Sequence, residues 1–286
     1  MSLSIAEAIL EATSVLHRAG VSEARREAGS LLANVLGQDR TFLITRAEHL
    51  LTAEDFETFR RHIVRRAGGE PLQYITGHQE FFGLDFEVNG RVLIPRPETE
   101  LLVEVALDLI GEVTSPFICD IGTGSGCIAI ALLHERPRAR AIAVDISEAA
   151  VHVAARNAVR HQVRERIAFL VADRFATLQT RPAFNLIVSN PPYVADKDLA
   201  GLQREVREHE PRVALTPGGD GLSVIRGLLN NAQTFLFNGG YLIIEIGYDQ
   251  RAAVEELIDA RIWKLLSVRD DLQGIPRTVA LQKLGS

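Results

Sequence analysis

The stretch Phe117-Ile118-Cys119-Asp120-Ile121-Gly122-Thr123-Gly124-Ser125-Gly126 decides the fold of this chain, because it joins a short apolar run to a glycine-rich loop. The run from Phe117 to Ile121 predicts a buried strand. The apolar residues from Cys127 to Leu133 follow the loop and predict a helix. Glycines between a strand and a helix let the backbone turn tightly and approach a ligand closely. The stretch therefore predicts the first strand, loop and helix of an α/β fold.

Strand-like and helical patterns alternate along the rest of the chain. The further strand-like runs are Ala141 to Ile146, Ile167 to Val171, Phe184 to Val188 and Tyr241 to Ile246. Helical runs lie between them, for example Ser147 to His161 and Leu222 to Phe237. Such alternation predicts a doubly wound, mostly parallel sheet that is covered by helices on both faces.

The pattern changes towards the end of the sequence. The runs Ile262 to Val268 and Thr278 to Gln282 are joined by a loop that contains Gly274 and no helix. Two strands without a connecting helix predict an antiparallel pair. We expect this pair at one edge of the sheet.

Residues 1–72 carry only helical patterns and predict a small bundle. Gly20 and Gly37 are placed to end the first two helices. Ser22 can cap the second helix, and Thr52 can cap a third through a capping-box arrangement.

Four arginines crowd the third predicted helix: Arg60, Arg61, Arg65 and Arg66. Cations are favoured near a helix C-terminus, so they fit a solvated surface. They also fit a docking surface for an acidic or RNA-associated partner. The sequence leaves both interpretations open.

Residues 73–95 predict a β-hairpin that links the bundle to the α/β part. Apolar and polar residues alternate from Leu84 to Val88 and again from Val92 to Ile94. Asn89-Gly90 between them is a strong two-residue hairpin turn.

Composition limits the kind of protein this is. The chain has 286 residues, a net charge of −6 and 47% hydrophobic residues. This charge argues against a protein that grips long nucleic acids through their phosphates. The only two cysteines, Cys119 and Cys127, lie in apolar sequence and predict small core residues of a reducing compartment, not a metal site. No apolar run is long enough for a membrane span and no signal peptide is evident, so we expect a cytoplasmic protein.

Carboxylates stand at or near the ends of three predicted strands: Asp120, Asp145 and Asp173. Asp120 directly before the glycines would repel a pyrophosphate but suits an ammonium group. Asp145 lies where a carboxylate can bind both hydroxyls of a ribose. Asp173 can accept a hydrogen bond from an adenine amino group. A pocket for a nucleoside that carries an amino acid predicts S-adenosyl-L-methionine as the cofactor.

The stretch Val188-Ser189-Asn190-Pro191-Pro192-Tyr193 lies where the chain leaves the fourth predicted strand. The Asn190 side-chain oxygen and the Pro191 carbonyl can each accept one hydrogen from a planar NH2 group. The prolines hold the backbone φ angle in place. Tyr193 can then lie against the flat face of the bound group.

These motifs resemble the class I methyltransferases that modify planar amino groups. A fuller set resembles the HemK/PrmC family over nearly the whole chain. This set consists of Asp120 to Gly126, Asp145, Asn190 to Tyr193, Pro95 to Glu100, Glu70 to Gly77 and the helical N-terminal part. The resemblance implies a Rossmann-like fold and methylation of the glutamine side chain in the Gly-Gly-Gln motif of class 1 peptide chain release factors.

The resemblance also implies roles for individual residues. The implied cofactor contacts are Asp120, Gly122, Thr123, Gly124, Ser125, Gly126, Asp145, Asp173, Arg174 and Asn190. Residues Asn190, Pro191, Pro192 and Tyr193 would hold the glutamine amide, with Asn190, Pro191 and Tyr193 catalytic. Phe175 is the alternative to Arg174 as the residue against adenine.

The implied domain organisation has three parts. Residues 1–72 would form a helical substrate-docking domain, 73–95 the hairpin linker and 96–286 the methyltransferase domain. We expect a monomer without a membrane association or stable nucleic-acid binding, whose partners are the release factors.

Three other functions are weighed against this one. An adenine N6 methyltransferase acting on DNA or RNA could use the same Asn190 to Tyr193 element, although the acidic composition disfavours it. An oxidoreductase on a dinucleotide fold is disfavoured by the glycine spacing and by Asp120. A non-catalytic cofactor-binding module is disfavoured by the intact Asn190 to Tyr193 element.

Overall fold

The computed structural model of the protein describes residues 3–285. These residues form two compact units. The first unit extends to His78 and includes Gln203–His209, and the second comprises Gln79–Leu202 and the chain from Glu210 onward.

The elements are given in chain order. They are α1 (Ile5–Arg18), α2 (Ala24–Leu36), α3 (Arg40–Thr45), α4 (Ala53–Ala67), α5 (Leu72–Thr76), β1 (His78–Phe81), β2 (Leu84–Glu87), α6 (Glu100–Leu109), β3 (Phe117–Ile121), α7 (Cys127–Glu135), β4 (Arg140–Asp145), α8 (Glu148–Arg160), β5 (Ile167–Val171), β6 (Phe184–Ser189), α9 (Arg204–His209), α10 (Arg212–Leu215), α11 (Ser223–Phe235), β7 (Leu236–Glu245), α12 (Arg251–Leu257), β8 (Trp263–Asp270) and β9 (Pro276–Lys283). Short 3-10 helices cover Pro97–Thr99, Arg164–Arg166 and Asp196–Gly201.

The first unit is helical, as its sequence predicts, and its helices pack around a core of apolar side chains. Ile5, Leu16 and Phe59 are among the buried members of this core. Thr52 caps α4, since its hydroxyl accepts a hydrogen bond from the backbone N–H of Asp55. The expected cap at Ser22 is wrong: α2 begins one residue later than that cap requires, after Glu23, without a side-chain cap.

The arginines of α4 differ in their surroundings. Arg66 is buried and forms ion pairs with Glu27 of α2 and Glu205 of α9. Arg65 pairs with Glu70, and Arg60 forms an exposed pair with Glu57. Arg66 is therefore a structural residue, which neither interpretation of the cluster anticipates.

A hairpin is present after the first helices, but its predicted turn is wrong. β1 and β2 form a two-stranded sheet. Its turn is Phe82-Gly83, whose φ angles are 53° and 71° as a two-residue turn of this kind requires. Ile94 is not in a strand, because its backbone N–H donates to the Glu210 carboxylate instead of to a neighbouring strand.

The sheet of the second unit has seven strands in the order β5-β4-β3-β6-β7-β9-β8. The first five are parallel, and β8 and β9 form the predicted antiparallel pair at one edge. β9 is also antiparallel to β7. The chain leaves β3 towards β4 and returns on the other side at β6. The boundary between β3 and β6 is thus a topological switch point, where parallel sheets open a crevice at the carboxyl ends of the strands.

Apolar clusters cover both faces of this sheet, and α6, α7 and α8 contribute to one of them. Both cysteines are buried in the core, as predicted. None of the helices among residues 3–285 combines the length and apolar character needed to cross a bilayer.

Candidate functional site

A cavity of about 480 Å³ opens at the carboxyl ends of β3, β4 and β6. Ten of the predicted site residues line it: Gly122, Thr123, Gly124, Ser125, Asp145, Asp173, Arg174, Asn190, Pro191 and Pro192. Three others, Asp120, Gly126 and Tyr193, lie outside its lining. The volume is within the range of about 300–1,000 Å³ that is usual for small-molecule sites.

The glycine loop and the Asn190 to Tyr193 element meet at the switch point of the sheet. Strands β3 and β6 pair in register, with Asp120 opposite Val188. The Ser189 hydroxyl donates to the Ile121 carbonyl at 2.7 Å. A methyl group placed on Gly122 would lie 3.9 Å from the Asn190 carbonyl oxygen. The two motifs therefore face one cavity.

Asp120 lies beneath the glycine loop and is fully buried. Its Oδ2 accepts a hydrogen bond of 2.7 Å from the Thr123 hydroxyl. Its Oδ1 is buried without a hydrogen-bond partner in the described part of the chain. Burial raises the pKa of Asp120 to about 7. A cation bound above the loop would favour the ionised form of this carboxyl.

Asp145 ends β4 and faces the cavity with both oxygens anchored. Oδ2 accepts from the Gly124 backbone N–H and Oδ1 accepts from the Ser147 backbone N–H, each at 2.9 Å. Burial raises the pKa of this carboxyl, while the backbone hydrogen bonds oppose that shift. Each carboxylate oxygen has further acceptor capacity, so the anchored group can still bind a pair of hydroxyls.

Asp173 and Arg174 form a bidentate ion pair at the rim of the cavity. Arg174 Nε and Nη2 donate to the two Asp173 oxygens at 2.8 and 2.9 Å. The guanidinium holds the pKa of Asp173 below its usual value. Phe175 instead stacks on Phe235 in the core, with ring centroids 4.7 Å apart. Arg174, not Phe175, faces the cavity.

Gly126 starts α7 and does not line the cavity. Its φ angle is 84°, and a methyl group there would meet Ile130 Cδ1 at 2.9 Å and Ala154 Cβ at 3.1 Å. Gly126 therefore allows α7 and α8 to pack closely beneath the loop. Asn157 of α8 supports the loop from the same side, because its Nδ2 donates to the Ser125 carbonyl at 2.9 Å.

A chain of side-chain hydrogen bonds connects Asn190 to the core of the second unit. Asn190 Nδ2 donates to the Thr99 hydroxyl oxygen at 3.1 Å. The Thr99 hydroxyl donates to Glu245 Oε2 at 2.6 Å. The Tyr193 hydroxyl donates to Glu245 Oε1 at 3.3 Å. The Tyr193 ring is thus directed to Glu245 and away from the cavity lining, which differs from its expected place against a bound planar group.

The backbone of the Asn190 to Tyr193 element is also held in place. Gln250 Nε2 donates to the Tyr193 carbonyl at 2.9 Å. Gly221 packs against the same carbonyl so closely that a methyl group on it would lie 2.3 Å from the oxygen. No substituent fits at this position without moving the element.

Three residues of the site were not identified from the sequence: Thr99, Glu210 and Glu245. Arg96 and Thr99 line the cavity, and Arg96 forms an ion pair with the buried Glu210. Thr99 lies in the segment Pro95 to Glu100, whose prolines and acidic residues also suit the first turn of a helix, so this segment alone does not indicate a site. A carboxylate that directly ends an apolar strand was the available signal for Glu245, as it was for Asp145.

The residues of the cavity fit S-adenosyl-L-methionine. An unpartnered, buried carboxylate oxygen of Asp120 lies beneath the glycine loop. An anchored carboxylate, Asp145, stands at the next strand end. Ala172 and Val224 add apolar wall to the same cavity. These groups suit an ammonium, a ribose and a flat base.

Comparisons with known proteins agree with this geometry. Residues 7–77 match the PrmC N-terminal domain family, and residues 98–236 match the methyltransferase small domain family. The chain is 46% identical over 255 residues to the release factor glutamine methyltransferase of Burkholderia pseudomallei, and this match covers 88% of this chain and 89% of that relative. It is 41% identical to the protein of the same name from Koribacter versatilis, over 98% of this chain and 99% of that relative.

Solved structures show the same fold at lower identity. The catalytic domain of hMettl16 in complex with MAT2A 3′UTR hairpin 6 superimposes with a TM-score of 0.57, 18% identity, and coverage of 83% of this chain and 84% of that one. A methyltransferase from Pyrococcus furiosus gives a TM-score of 0.51 at 16% identity, over 72% of this chain and 91% of that one. The Rossmann-like methyltransferase fold predicted from the sequence is confirmed.

The resemblance seen in the sequence motifs is likewise confirmed, since identity above 40% extends over nearly the full length of both relatives. The chain belongs to the family of release factor glutamine methyltransferases.

Proposed function

We propose that this protein transfers a methyl group from S-adenosyl-L-methionine to the side-chain amide nitrogen (N5) of the glutamine in the Gly-Gly-Gln motif of class 1 peptide chain release factors. One observation carries the proposal. The Asn190 to Pro192 backbone and the glycine loop line a single cavity in a chain that belongs to this family.

The amide nitrogen of glutamine is a poor nucleophile, because its lone pair is delocalised into the carbonyl. The bound S-adenosyl-L-methionine supplies an electrophilic methyl group on a sulfonium. Asn190 Oδ1 and the Pro191 carbonyl accept the two amide hydrogens, which opposes the delocalisation and orients the nitrogen. Orientation of this kind supplies up to about 7–11 kcal/mol in favourable cases. Tyr193 acts by holding the element in place through Glu245.

The proposed cofactor contacts follow from the positions of the lining residues. Residues Gly122 to Ser125 and Asn190 surround the amino-acid end, with the charge of Asp120 below. Asp145 binds the ribose hydroxyls, and the Asp173–Arg174 pair borders the base. Gly126 contributes through close packing of α7 on α8.

The roles of the domains, the location of the protein and its oligomeric state belong to the same proposal. Residues 1–72 dock the release factor, 73–95 link the two parts and 96–286 carry out the transfer. The protein works in the cytoplasm as a monomer and forms no stable complex with nucleic acid. A net charge of −6 supports the last point, because nucleic-acid affinity depends on cationic contacts with phosphates.

Mass spectrometry of a purified class 1 release factor tests this function. Incubation with the enzyme and S-adenosyl-L-methionine is expected to add one methyl group (about 14 Da) to the Gly-Gly-Gln peptide, located on the glutamine by fragmentation. DNA and RNA are assayed in parallel for methyl transfer to adenine. Transfer to nucleic acid and not to the release factor would reject the proposal in favour of an adenine N6 methyltransferase.

Asn190→Ala provides the matching variant. We expect it to lower the rate of methyl transfer by about 100-fold or more, because one of the two acceptors that orient the amide is lost. Binding of the cofactor, measured by isothermal titration calorimetry, should be weakened but detectable. Full methyl transfer by Asn190→Ala would contradict the role assigned to this side chain.

A further inference from the structure

The hydrogen-bonded chain behind Asn190 ends on a carboxylate that water does not reach. Glu245 is 0% exposed and Thr99 is 2% exposed. Glu245 lies at the carboxyl end of β7, one strand away from Asn190 in the sheet. The proposed methyl transfer makes no direct use of either residue. Their positions raise the question of what they do to Asn190.

The hydrogen-bond donors and acceptors of these side chains fix the direction of each hydrogen bond. An ionised carboxylate can only accept hydrogen bonds. The single hydroxyl hydrogen of Thr99 is therefore donated to Glu245, at 2.6 Å between the oxygens. The Thr99 oxygen can then only accept, and its partner is Asn190 Nδ2 at 3.1 Å. The opposite orientation of the Asn190 amide would bring two acceptor oxygens together.

We infer that Glu245 and Thr99 are positioning residues that fix the direction of the Asn190 amide, with its NH2 group turned to Thr99 and its Oδ1 presented to the substrate amide. This inference rests on the proposed function. Asn190 is chemically ambivalent, because the two ends of its side-chain amide have nearly the same shape. Glu245 selects one orientation of the Asn190 amide through two successive hydrogen bonds, from Thr99 to Glu245 and from Asn190 to Thr99.

The direction of this chain depends on the proton of Glu245. A protonated Glu245 can donate to Thr99, Thr99 can donate to Asn190 Oδ1, and the Asn190 NH2 group then faces the cavity. A donor would stand where the substrate amide needs an acceptor. Methyl transfer should therefore decline when Glu245 becomes protonated.

The groups around Glu245 decide where this happens. Burial raises the pKa of Glu245 to about 7, and the nearby Glu98 acts in the same direction. Hydrogen bonds from Thr99 and Tyr193 and the charge of Arg277 oppose the shift. Cys127 and Tyr193 also interact with Glu245 and are kept neutral, because burial raises the pKa of the thiol to about 12 and raises the pKa of the Tyr193 hydroxyl well above its usual value. Ionised Glu245 gains population as the pH rises through about 7, and so does the productive orientation.

Three variants and a matched control test the inference. Thr99→Val removes the hydroxyl and keeps the shape, and Thr99→Ser keeps the hydroxyl. Glu245→Gln removes the titrating group. The control is Thr278→Val. Thr278 lies opposite Glu245 on β9 and is buried, and its hydroxyl has no hydrogen-bond partner among residues 3–285.

We expect Thr99→Val to lower kcat for release factor methylation by about 100-fold, the size of effect that a misplaced reacting group produces. Its Kd for S-adenosyl-L-methionine and its KM for the release factor should remain within about threefold of the wild-type values. The substitution changes the orientation of Asn190 and not the contacts that bind both ground state and transition state equally. Thr99→Ser should restore kcat to within about threefold, and Thr278→Val should leave it unchanged. The wild-type kcat should fall as the pH is lowered from 8 to about 6, and Glu245→Gln should lose this dependence.

Direct observation of Asn190 separates this inference from the proposed function. Side-chain amide signals of Asn190 are assigned in 15N spectra by their loss in Asn190→Ala. Hydrogen exchange of that NH2 group should be slow in the wild type and in Thr278→Val, and faster in Thr99→Val. This readout requires no release factor, so it stands even where no methyl transfer to the release factor occurs.

Several results would overturn the inference. These are full kcat in Thr99→Val, a parallel loss of cofactor binding and kcat in that variant, a failure of Thr99→Ser to restore kcat, and an unchanged pH dependence in Glu245→Gln. Equal exchange rates of the Asn190 NH2 group in Thr99→Val and the wild type would also overturn it.

Discussion

At the scale of the residue, two buried carboxyl groups lie next to the motifs of the candidate site. Asp120 and Glu245 are both fully buried, and burial raises the pKa of each to about 7. Each therefore changes its charge near neutral pH, which ordinary carboxyl groups do not. Asp120 lies below the glycine loop and Glu245 lies behind Asn190, so the two act on different steps.

Asp120 should make cofactor binding pH-dependent. A bound ammonium favours the ionised carboxyl, so binding releases a proton wherever free Asp120 is protonated, below about pH 7. We expect the Kd for S-adenosyl-L-methionine to be about five to ten times higher at pH 6 than at pH 7.5, a range that lies below the usual α-amino pKa of about 7.7–8.0. Isothermal titration calorimetry across this range measures the effect.

The Asp120→Asn variant is the control for this prediction. It keeps the size of the side chain but cannot ionise. Its Kd for S-adenosyl-L-methionine should therefore be higher than that of the wild type but nearly constant between pH 6 and pH 7.5. A wild-type Kd that does not change over this range would contradict the assigned role of the Asp120 charge.

At the scale of the element, the start of α7 depends on the absence of a side chain at Gly126. A methyl group there would lie 2.9 Å from Ile130 Cδ1 and 3.1 Å from Ala154 Cβ, at a φ angle of 84°. We expect Gly126→Ala to lower the free energy of unfolding by about 2–4 kcal/mol, from overpacking and from the left-handed backbone together. Urea unfolding followed by circular dichroism measures the change.

Gly201→Ala is a suitable control in the same unit. Its added methyl group meets no atom within 4 Å, and its backbone is not in the left-handed region. We expect its free energy of unfolding to stay within about 0.5 kcal/mol of the wild type. Equal stability of Gly126→Ala and Gly201→Ala would show that α7 and α8 tolerate the extra volume.

A buried ion pair and a partly exposed one, both made by Arg66, connect helices in the first unit. Arg66 of α4 contacts Glu27, and its Nη1 lies 2.7 Å from Glu205 Oε2. Arg66→Ala would leave both carboxylates without their cation. We expect a loss of about 3–5 kcal/mol of unfolding free energy, as is usual when one partner of a buried pair is removed.

The exposed pair on the same helix gives the comparison. Arg60, whose side chain is 65% exposed, contacts Glu57. Arg60→Ala should change the stability by less than about 1 kcal/mol, because exposed ion pairs contribute little. Thermal unfolding of both variants at low and high salt would distinguish them, and similar losses in the two would contradict the structural role of Arg66.

At the scale of the whole molecule, one chain supplies every side chain of the proposed site. The cavity lining comes from the segment Arg91 to Thr99 and from the segments that follow β3, β4, β5 and β6. We therefore expect a monomer of 31.4 kDa to be active. Sedimentation velocity at assay concentrations should give this mass, and specific activity should not depend on enzyme concentration. A dimer whose dissociation removes activity would contradict the prediction.

Much of the second unit follows from its sequence. The bounds of β3 and β5 agree residue for residue with the apolar runs Phe117 to Ile121 and Ile167 to Val171. Both strands are parallel to their neighbours, and their mostly apolar runs stand out from the more polar segments around them. The glycine loop and the Asn190 to Tyr193 element were found because their chemistry is local in the sequence.

Features that depend on distant contacts were not predicted. Asn89-Gly90 is a strong local turn signal, yet the Ile94 N–H is bound by Glu210, which lies 116 residues further along the chain. Thr99 and Glu245 are separated by 146 residues and become neighbours only in the folded sheet. Local patterns carry no information about such pairs, and the site was therefore predicted only in part.

The insertion of β9 between β7 and β8 has a consequence for how the enzyme matures. β9 pairs along β7 with Thr278 opposite Glu245, and its Arg277 carbonyl accepts from the Ile246 N–H at 2.8 Å. Translation delivers β7 and β8 before β9. A nascent chain that stops short of Pro276 therefore leaves β7 without its β9 partner, and the end of β7 is open to water on that side. Glu245 would then titrate as an ordinary carboxyl group, so the dependence of the Asn190 orientation on pH near 7 would arise only when β9 takes its place between β7 and β8.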